Sequence, residues 1–384
     1  MDSSHGYATA AVLRGPRSIA IESVKIPETS DDDGLLEVEA CGLCGSDYEQ
    51  YLGHLAGVMG RTPIVPGHEI VGRIAAVGRR ARDRWRVEEG DRVAIEPVIP
   101  CGMCVACLTG FYTRCADDRG YGLYQTLDVR PALWGGYATH LYLHPRSIVH
   151  KVSGDIPSSL MTLFNPLSNA IRWTTEIPKL APGSSVLIQG PGQRGLCAVV
   201  AARDAGAEEV FVTGATGDDH RLELARLLGA TGVINSGKND PVEAVAEMTS
   251  GRMVDVVVDV SGGNDAAFDV ATRSVRRGGE IVLAGLNGHR PAVGLISDRV
   301  VLNEIRITGA LSAGYTAVKR AISLIESSRY ALEILCTHTF PLGEVERALK
   351  TLGRENRPEM DGVEPVHVTL SARGPGADCE REPR

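Results

Sequence analysis

Aromatic residues make up only 5% of the 384 positions, with five phenylalanines and three tryptophans, so the cores of this chain have to be built from aliphatic side chains. Nowhere does an apolar run approach the roughly 18 residues that a membrane-spanning helix requires, which excludes a helical membrane protein. Basic residues are the minority, 40 against 48 acidic ones, for a net charge of −8. No basic stripe is present either, and nucleic acid is not expected as a partner. Residues Met1 to Gly6 carry neither a basic n-region nor an apolar h-region, so secretion is not expected and a cytoplasmic location is. Internal repeats and long low-complexity segments are also missing. What remains is an ordinary soluble composition, 43% apolar and 23% charged, at a length that suggests two to three domains.

Cysteine, by contrast, is plentiful. Nine cysteines in a chain without a secretion signal point to metal or catalytic use rather than disulfides. Four of them, Cys101, Cys104, Cys107 and Cys115, fall within fifteen positions, the inventory of a closed tetrahedral zinc site of the structural kind. Such a site orders a loop and by itself predicts no reaction.

The pattern along the chain changes near Ser184. Before it, short β-type runs such as Leu35 to Ala40 and Ile70 to Val77 alternate with Gly and Pro, which reads as an irregular β-rich domain. After it, strands and helices alternate, and Val254-Asp-Val-Val-Val258 is the near-continuous apolar run of a parallel sheet covered on both faces. The elements beyond Ala313 are too few to fold alone and are expected to complete the first domain, making it discontinuous. The expected division is 1–157 with 312–384, and 158–311 between them, with a zinc lobe at about 96–118 and a disordered tail at about 372–384.

Val186-Leu-Ile-Gln-Gly190-Pro-Gly192-Gln-Arg-Gly195 places G-x-G-x-x-G directly after an apolar strand and at the opening of a helix. In a dinucleotide site Gly190 makes the tight turn, Gly192 admits the pyrophosphate, and Gly195 lets helix and strand pack closely. Gln193 and Arg194 line the same helix N-terminus. The second strand ends Val212-Thr213-Gly214 without a carboxylate, and Arg221 follows, which leans towards NADP(H) over NAD(H). Asp218 or Asp219 could reach back and restore an NAD site.

Cys44 and, further on, His68 and Glu69 are the ligand types of a catalytic zinc with an open position. With Gly42-Leu-Cys44-Gly-Ser46-Asp47, Pro66-Gly67-His68-Glu69, Gly90-Asp91, Gly135-Gly136-Tyr137-Ala138, the cysteine lobe and the glycine turn in this order, the chain resembles the zinc-dependent medium-chain dehydrogenase/reductase family over about Ala8 to Leu370. The resemblance implies an α/β chain: a Rossmann doubly wound parallel sheet for the cofactor, and a discontinuous GroES-like catalytic domain carrying the zinc lobe. It implies Cys44 and His68 as catalytic zinc ligands, Glu69 as a conditional ligand, Asp47 as the partner orienting His68, and Ser46 as the acceptor of the substrate proton. Cys41 is not a ligand in that pattern.

Two departures stand out. Where the family carries an anionic third ligand, this chain reads Asn165, a neutral and weaker donor, for which Glu69 is the natural compensation. Five residues beyond Cys44, where some members place a relay histidine, stands Glu49, with His54 nearby. The expected activity is reversible hydride transfer between an alcohol, leaning hydrophobic or aromatic on account of Tyr48, Leu52, Leu55, Met59, Tyr121, Leu123, Tyr124 and Trp134, and NAD(P)+. The alternatives are a polyol, cyclitol or amino-alcohol dehydrogenase, a zinc-free enone or quinone reductase, and a cofactor-binding protein without catalysis. A homodimer or homotetramer is expected by resemblance.

Overall fold

The computed structural model describes residues 6–55, 61–117, 119–262, 266–286, 295–355 and 362–372. Two units emerge from its contacts. One is Met1–Asn165 with Ile325–Ser327 and Cys336–Arg384, the other Pro166–Leu324 with Ser328–Leu335. The helix Tyr315–Glu326, expected with the first unit, falls largely in the second, where its Arg320 pairs with the little-exposed Asp204 at 2.6 Å. Most of the expected tail, from 373 onward, and Met59 lie outside the described residues.

The first unit begins with the antiparallel hairpin β1 (Tyr7–Gly15) and β2 (Ser18–Lys25). It continues through β3 (Gly34–Leu43), β4 (Glu69–Val77), β5 (Arg92–Ile95), β6 (His140–Leu143) and β7 (Val149–Lys151). These strands pack aliphatic side chains such as Leu36, Val38, Ile70, Ile74, Val93 and Leu141 into one core that also takes in Tyr51 and Tyr137.

The second unit contains β8 (Ser185–Gln189), β9 (Glu209–Gly214), β10 (Gly232–Asn235), β11 (Val254–Asp259), β12 (Val275–Leu283) and β13 (Arg306–Gly309). All its strand pairs are parallel, in the order β10-β9-β8-β11-β12-β13. Renumbered from β8 this is 3-2-1-4-5-6, the doubly wound order whose ligand crevice lies where the winding reverses, beyond the carboxyl ends of β8 and β11. Every residue of β8 is buried, which explains the apolar run Val186-Leu187-Ile188 at its centre.

The chain closes with β14 (Cys336–Pro341) and β15 (His367–Ser371), which complete the first unit's sheet in the order β14-β15-β3-β4-β5-β7, with β6 beside β3. Among the described residues no helix is long and apolar enough to cross a membrane.

Candidate active site

Cys44 follows β3 directly and is the N-cap of the helix Gly45–Leu52. Asp47 Oδ2 accepts the Cys44 N–H at 2.8 Å, and the Cys44 sulfur accepts from the Ser46 N–H at 3.5 Å and from the Ser46 hydroxyl at 3.1 Å. This is a capping box with a thiol in the place of the usual hydroxyl, and the positive helix end favours the thiolate. On the other side of the site, Gly67 turns the chain at φ +94°, where a Cβ would overlap the Tyr137 ring.

That turn delivers His68 and Glu69. His68 Nδ1 lies 3.2 Å from Asp47 Oδ1, both buried, a close contact not aligned as a hydrogen bond. Burial opposes a charge on the imidazole, but Asp47 and Cys44 outweigh it and hold His68 well above its ordinary value. Glu69 opens β4, fully buried, opposite Gly42 of β3.

The ligand atoms of Cys44, His68 and Glu69 lie within 4.8 Å of one another, all three residues buried. Sulfur, imidazole nitrogen and carboxylate oxygen at that spacing fit a zinc ion with one position open. Asn165 is buried in the helix Phe164–Ile171. Glu49 sits one turn beyond Ser46 on the helix Gly45–Leu52 and meets His54 Nδ1 at 2.8 Å, a half-exposed pair. Cys41 faces the core, touching the space above Gly67 and Gly136, and burial pushes its thiol up.

Cys101, Cys104, Cys107 and Cys115 converge as a second group. The sulfurs of Cys101 and Cys107, and of Cys104 and Cys115, are 3.9 Å apart. Sulfurs at the corners of a zinc tetrahedron with ~2.3 Å bonds stand about that far apart. Backbone N–H groups of Cys101, Met103 and Cys104 point at sulfurs of the group, and such donors from Ala116 and Cys107 draw Cys104 down to about 6. The four residues therefore fit a structural zinc. Met103, Val105, Leu108 and Phe111 on the same lobe leave their apolar side chains more than half exposed.

At the end of β8, Gly190 takes φ +99° beside Ser261. Gly192 is the N-cap of the helix Gln193–Asp204, with no side-chain cap and open space where a Cβ would be, and a Cβ on Gly195 would overlap the Gly190 carbonyl. The uncapped N–H groups and the open Gly192 suit a pyrophosphate. The Arg194 guanidinium lies over the Trp173 ring, 5.2 Å from its centroid. At the tip of β9, Asp218 curls back against Gly214 and accepts the Ala215 N–H at 3.0 Å, while Asp219 is bound to Lys238 and Asn235. A carboxylate thus does stand beside Gly214, a counterweight to the lean towards NADP(H). Arg221 lies on the following helix, Asp219–Leu227.

Known proteins match both units. Residues 30–154 fit the model of the alcohol dehydrogenase GroES-like domain, and 195–327 that of zinc-binding dehydrogenases. A probable alcohol dehydrogenase of Mycobacterium tuberculosis is 44% identical over 94% of this chain and 98% of its own. The chain belongs to the zinc-dependent medium-chain dehydrogenase/reductase family. A sorbitol dehydrogenase of Bacillus subtilis is 34% identical over 89% of this chain and 92% of its own. The crystal structure of an alcohol dehydrogenase from Thermotoga maritima superposes with a TM-score of 0.84, at 27% identity, over 95% of this chain and 99% of that one. This dehydrogenase is therefore an oxidoreductase acting on CH–OH groups of small molecules, and it uses zinc and a nicotinamide dinucleotide.

Several side chains of the dehydrogenase have places that spacing alone did not reveal. Tyr121 and Trp134, expected among the pocket loops, are buried in the first unit's core, with Tyr121 Oη against Ser147 Oγ and the Trp134 indole N–H donated to the Val129 carbonyl at 2.8 Å. His367, whose imidazole burial lowers to about 4, stands beside Glu69 and was invisible in sequence because only the pairing of β15 with β3 brings it there.

Proposed function

We propose that the protein is a zinc-dependent alcohol dehydrogenase that passes hydride between an alcohol, preferentially a hydrophobic or aromatic one, and NAD(P)+. The observation that carries this reading is the buried convergence of Cys44, His68 and Glu69 with the Ser46 hydroxyl at the Cys44 sulfur. Cys44, His68 and Glu69 would hold the catalytic zinc, with Asn165 as a further neutral donor, and the lobe cysteines the structural one. When bound, the zinc supplies Lewis-acid charge that eases loss of the alcohol proton, and the dinucleotide takes up the hydride.

The chain's own groups do the rest. Asp47 fixes the imidazole so that Nε2 faces Cys44, the N–H groups after Gly192 receive the phosphates, and Ser46 takes the substrate proton. Glu49, on the same helix face, hands it to His54 and solvent. Arg194, Gln193, Gly214 and Arg221 flank the dinucleotide. A polyol substrate is the second reading, favoured by the similarity to a sorbitol dehydrogenase.

We place the enzyme in the cytoplasm, in keeping with free thiols on all eight described cysteines. We also propose self-association. β13 is an edge strand, and Ile307, Val301, Leu302 and Leu311 on and beside it are exposed apolar side chains.

Zinc per chain, measured on protein purified without chelator, tests the reading. Two zincs are expected, falling to one in Cys44→Ala and, independently, in Cys101→Ala. A single zinc lost only with Cys101 would overturn it. Turnover on a panel of aliphatic, aromatic and polyhydric alcohols separates the substrate classes, and light scattering of the eluted protein reports the oligomer.

A further inference from the structure

Three strands meet in one row beneath Glu69. Thr369 of β15 pairs with Gly42 of β3, and Gly42 pairs with Glu69 of β4. Laterally paired residues project to the same face, and His367, two positions before Thr369, shares that face. The middle of the row has no side chain. A Cβ on Gly42 would overlap Glu69 Oε2 and lie 2.8 Å from His367 Cε1, so the carboxylate and the imidazole share the space above the glycine.

Hydrogen bonds on the far side define the imidazole's state. His367 Nε2 is 2.7 Å from Thr162 Oγ1, and that oxygen is 2.7 Å from the Ser159 carbonyl. The hydroxyl has one proton, which the carbonyl accepts, so Nε2 is the donor to Thr162 and Nδ1 is left as a bare acceptor. Among the described residues, Nδ1 and Thr369 Oγ1 are both buried without a hydrogen-bond partner. Such groups are costly to leave unpaired, and buried polar atoms of this kind are what internal waters bridge.

We propose that His367 is a positioning residue for Glu69. With Thr369 it holds a buried water that accepts from Thr369 Oγ1 and donates to His367 Nδ1 and to the Glu69 carboxylate. This keeps the carboxylate turned to Cys44 and His68, and makes up for the missing anionic ligand at Asn165. The inference rests on reading Cys44, His68 and Glu69 as a zinc site.

The test is zinc affinity of the full chain, by competition with a chromophoric chelator, together with the visible spectrum of protein loaded with cobalt at that site. His367→Phe and the isosteric Thr369→Val are each expected to weaken the second zinc by about 10–100-fold and to shift the cobalt bands, while the lobe zinc stays in place. His367→Asn keeps an acceptor at the Nδ1 position and is expected to restore affinity to within about threefold, a factor well inside that loss.

Retention of the lobe zinc and an unchanged melting curve certify that each variant folds. Parent-like affinity in both His367→Phe and Thr369→Val, or His367→Asn as weak as His367→Phe, would overturn the proposal while leaving the zinc reading intact. A parent protein with one zinc would remove both.

Discussion

Asp47→Asn removes one charge and almost no volume, yet it sets two demands against each other. Asp47 uses both oxygens: Oδ2 accepts from the Cys44 N–H at 2.8 Å, and Oδ1 stands in close contact with His68 Nδ1 at 3.2 Å. An amide has one oxygen. If that oxygen stays with the Cys44 N–H, the amide NH2 faces Nδ1 and drives the imidazole proton to Nε2, the nitrogen that would bind zinc. A tenfold to hundredfold loss of zinc affinity follows, or about 1.4–2.7 kcal/mol. If the amide flips instead, the N-cap loses its acceptor and the helix Gly45–Leu52 loses about 1 kcal/mol. One of the two losses is unavoidable. Chelator competition measures the first, and thermal melting of zinc-stripped parent and variant measures the second. A variant with zinc affinity within twofold of the parent and an unchanged zinc-free melting point would refute the reasoning.

Gly195→Ala puts a Cβ onto the Gly190 carbonyl, so the turn must open by a cost typical of overpacking, about 1–3 kcal/mol, read as a raised KM for the dinucleotide and a lowered melting temperature. Asp218→Ala is expected to shift the ratio of kcat/KM for NADP+ over NAD+ upward by roughly tenfold, since it removes the carboxylate beside Gly214, and an unchanged ratio would show that Asp218 does not face the ribose. Stability should fall in acid through Glu39. Burial raises its carboxyl, but the guanidiniums of Arg92 and Arg73 and the Ser158 hydroxyl prevail and hold it below the usual value. A depressed carboxyl stabilises the fold above its unfolded value of 4.5 and loses that contribution as pH drops through its folded value. Urea midpoints of the parent should therefore exceed those of Glu39→Gln at pH 7 and converge with them near the acid limit.

Legibility in the sequence followed locality. The cysteine lobe and the glycine turn are short-range patterns whose chemistry depends on spacing, and each folds where its spacing places it. Asp218 was within view but ambiguous, because whether a loop carboxylate reaches a strand tip depends on the turn Ala215 to Asp218 and not on its distance along the chain. Tyr121 and Trp134 read as pocket residues because apolar side chains in loops serve cores and pockets equally well. His367 and Thr369 were beyond reach, since nothing near them marks a site, and the strand pairing that sets them beside Gly42 is a property of the whole sheet.

The lobe of Cys101 to Cys115 carries Met103, Val105, Leu108 and Phe111 facing outward, on a segment whose own regular structure is one short helix, Val105–Leu108, and one turn, Tyr112–Arg114. Apart from the Tyr112 hydroxyl donated to Glu96 and the Arg146 guanidinium donated to the Cys101 carbonyl, the four thiolates are the main hold on so small a piece. Zinc supply during biosynthesis then becomes a matter of colloidal behaviour as much as of catalysis. Chains made in metal-poor medium would release this greasy segment, clump and attract proteases at it, long before any shortage of active enzyme could be traced to the reaction centre.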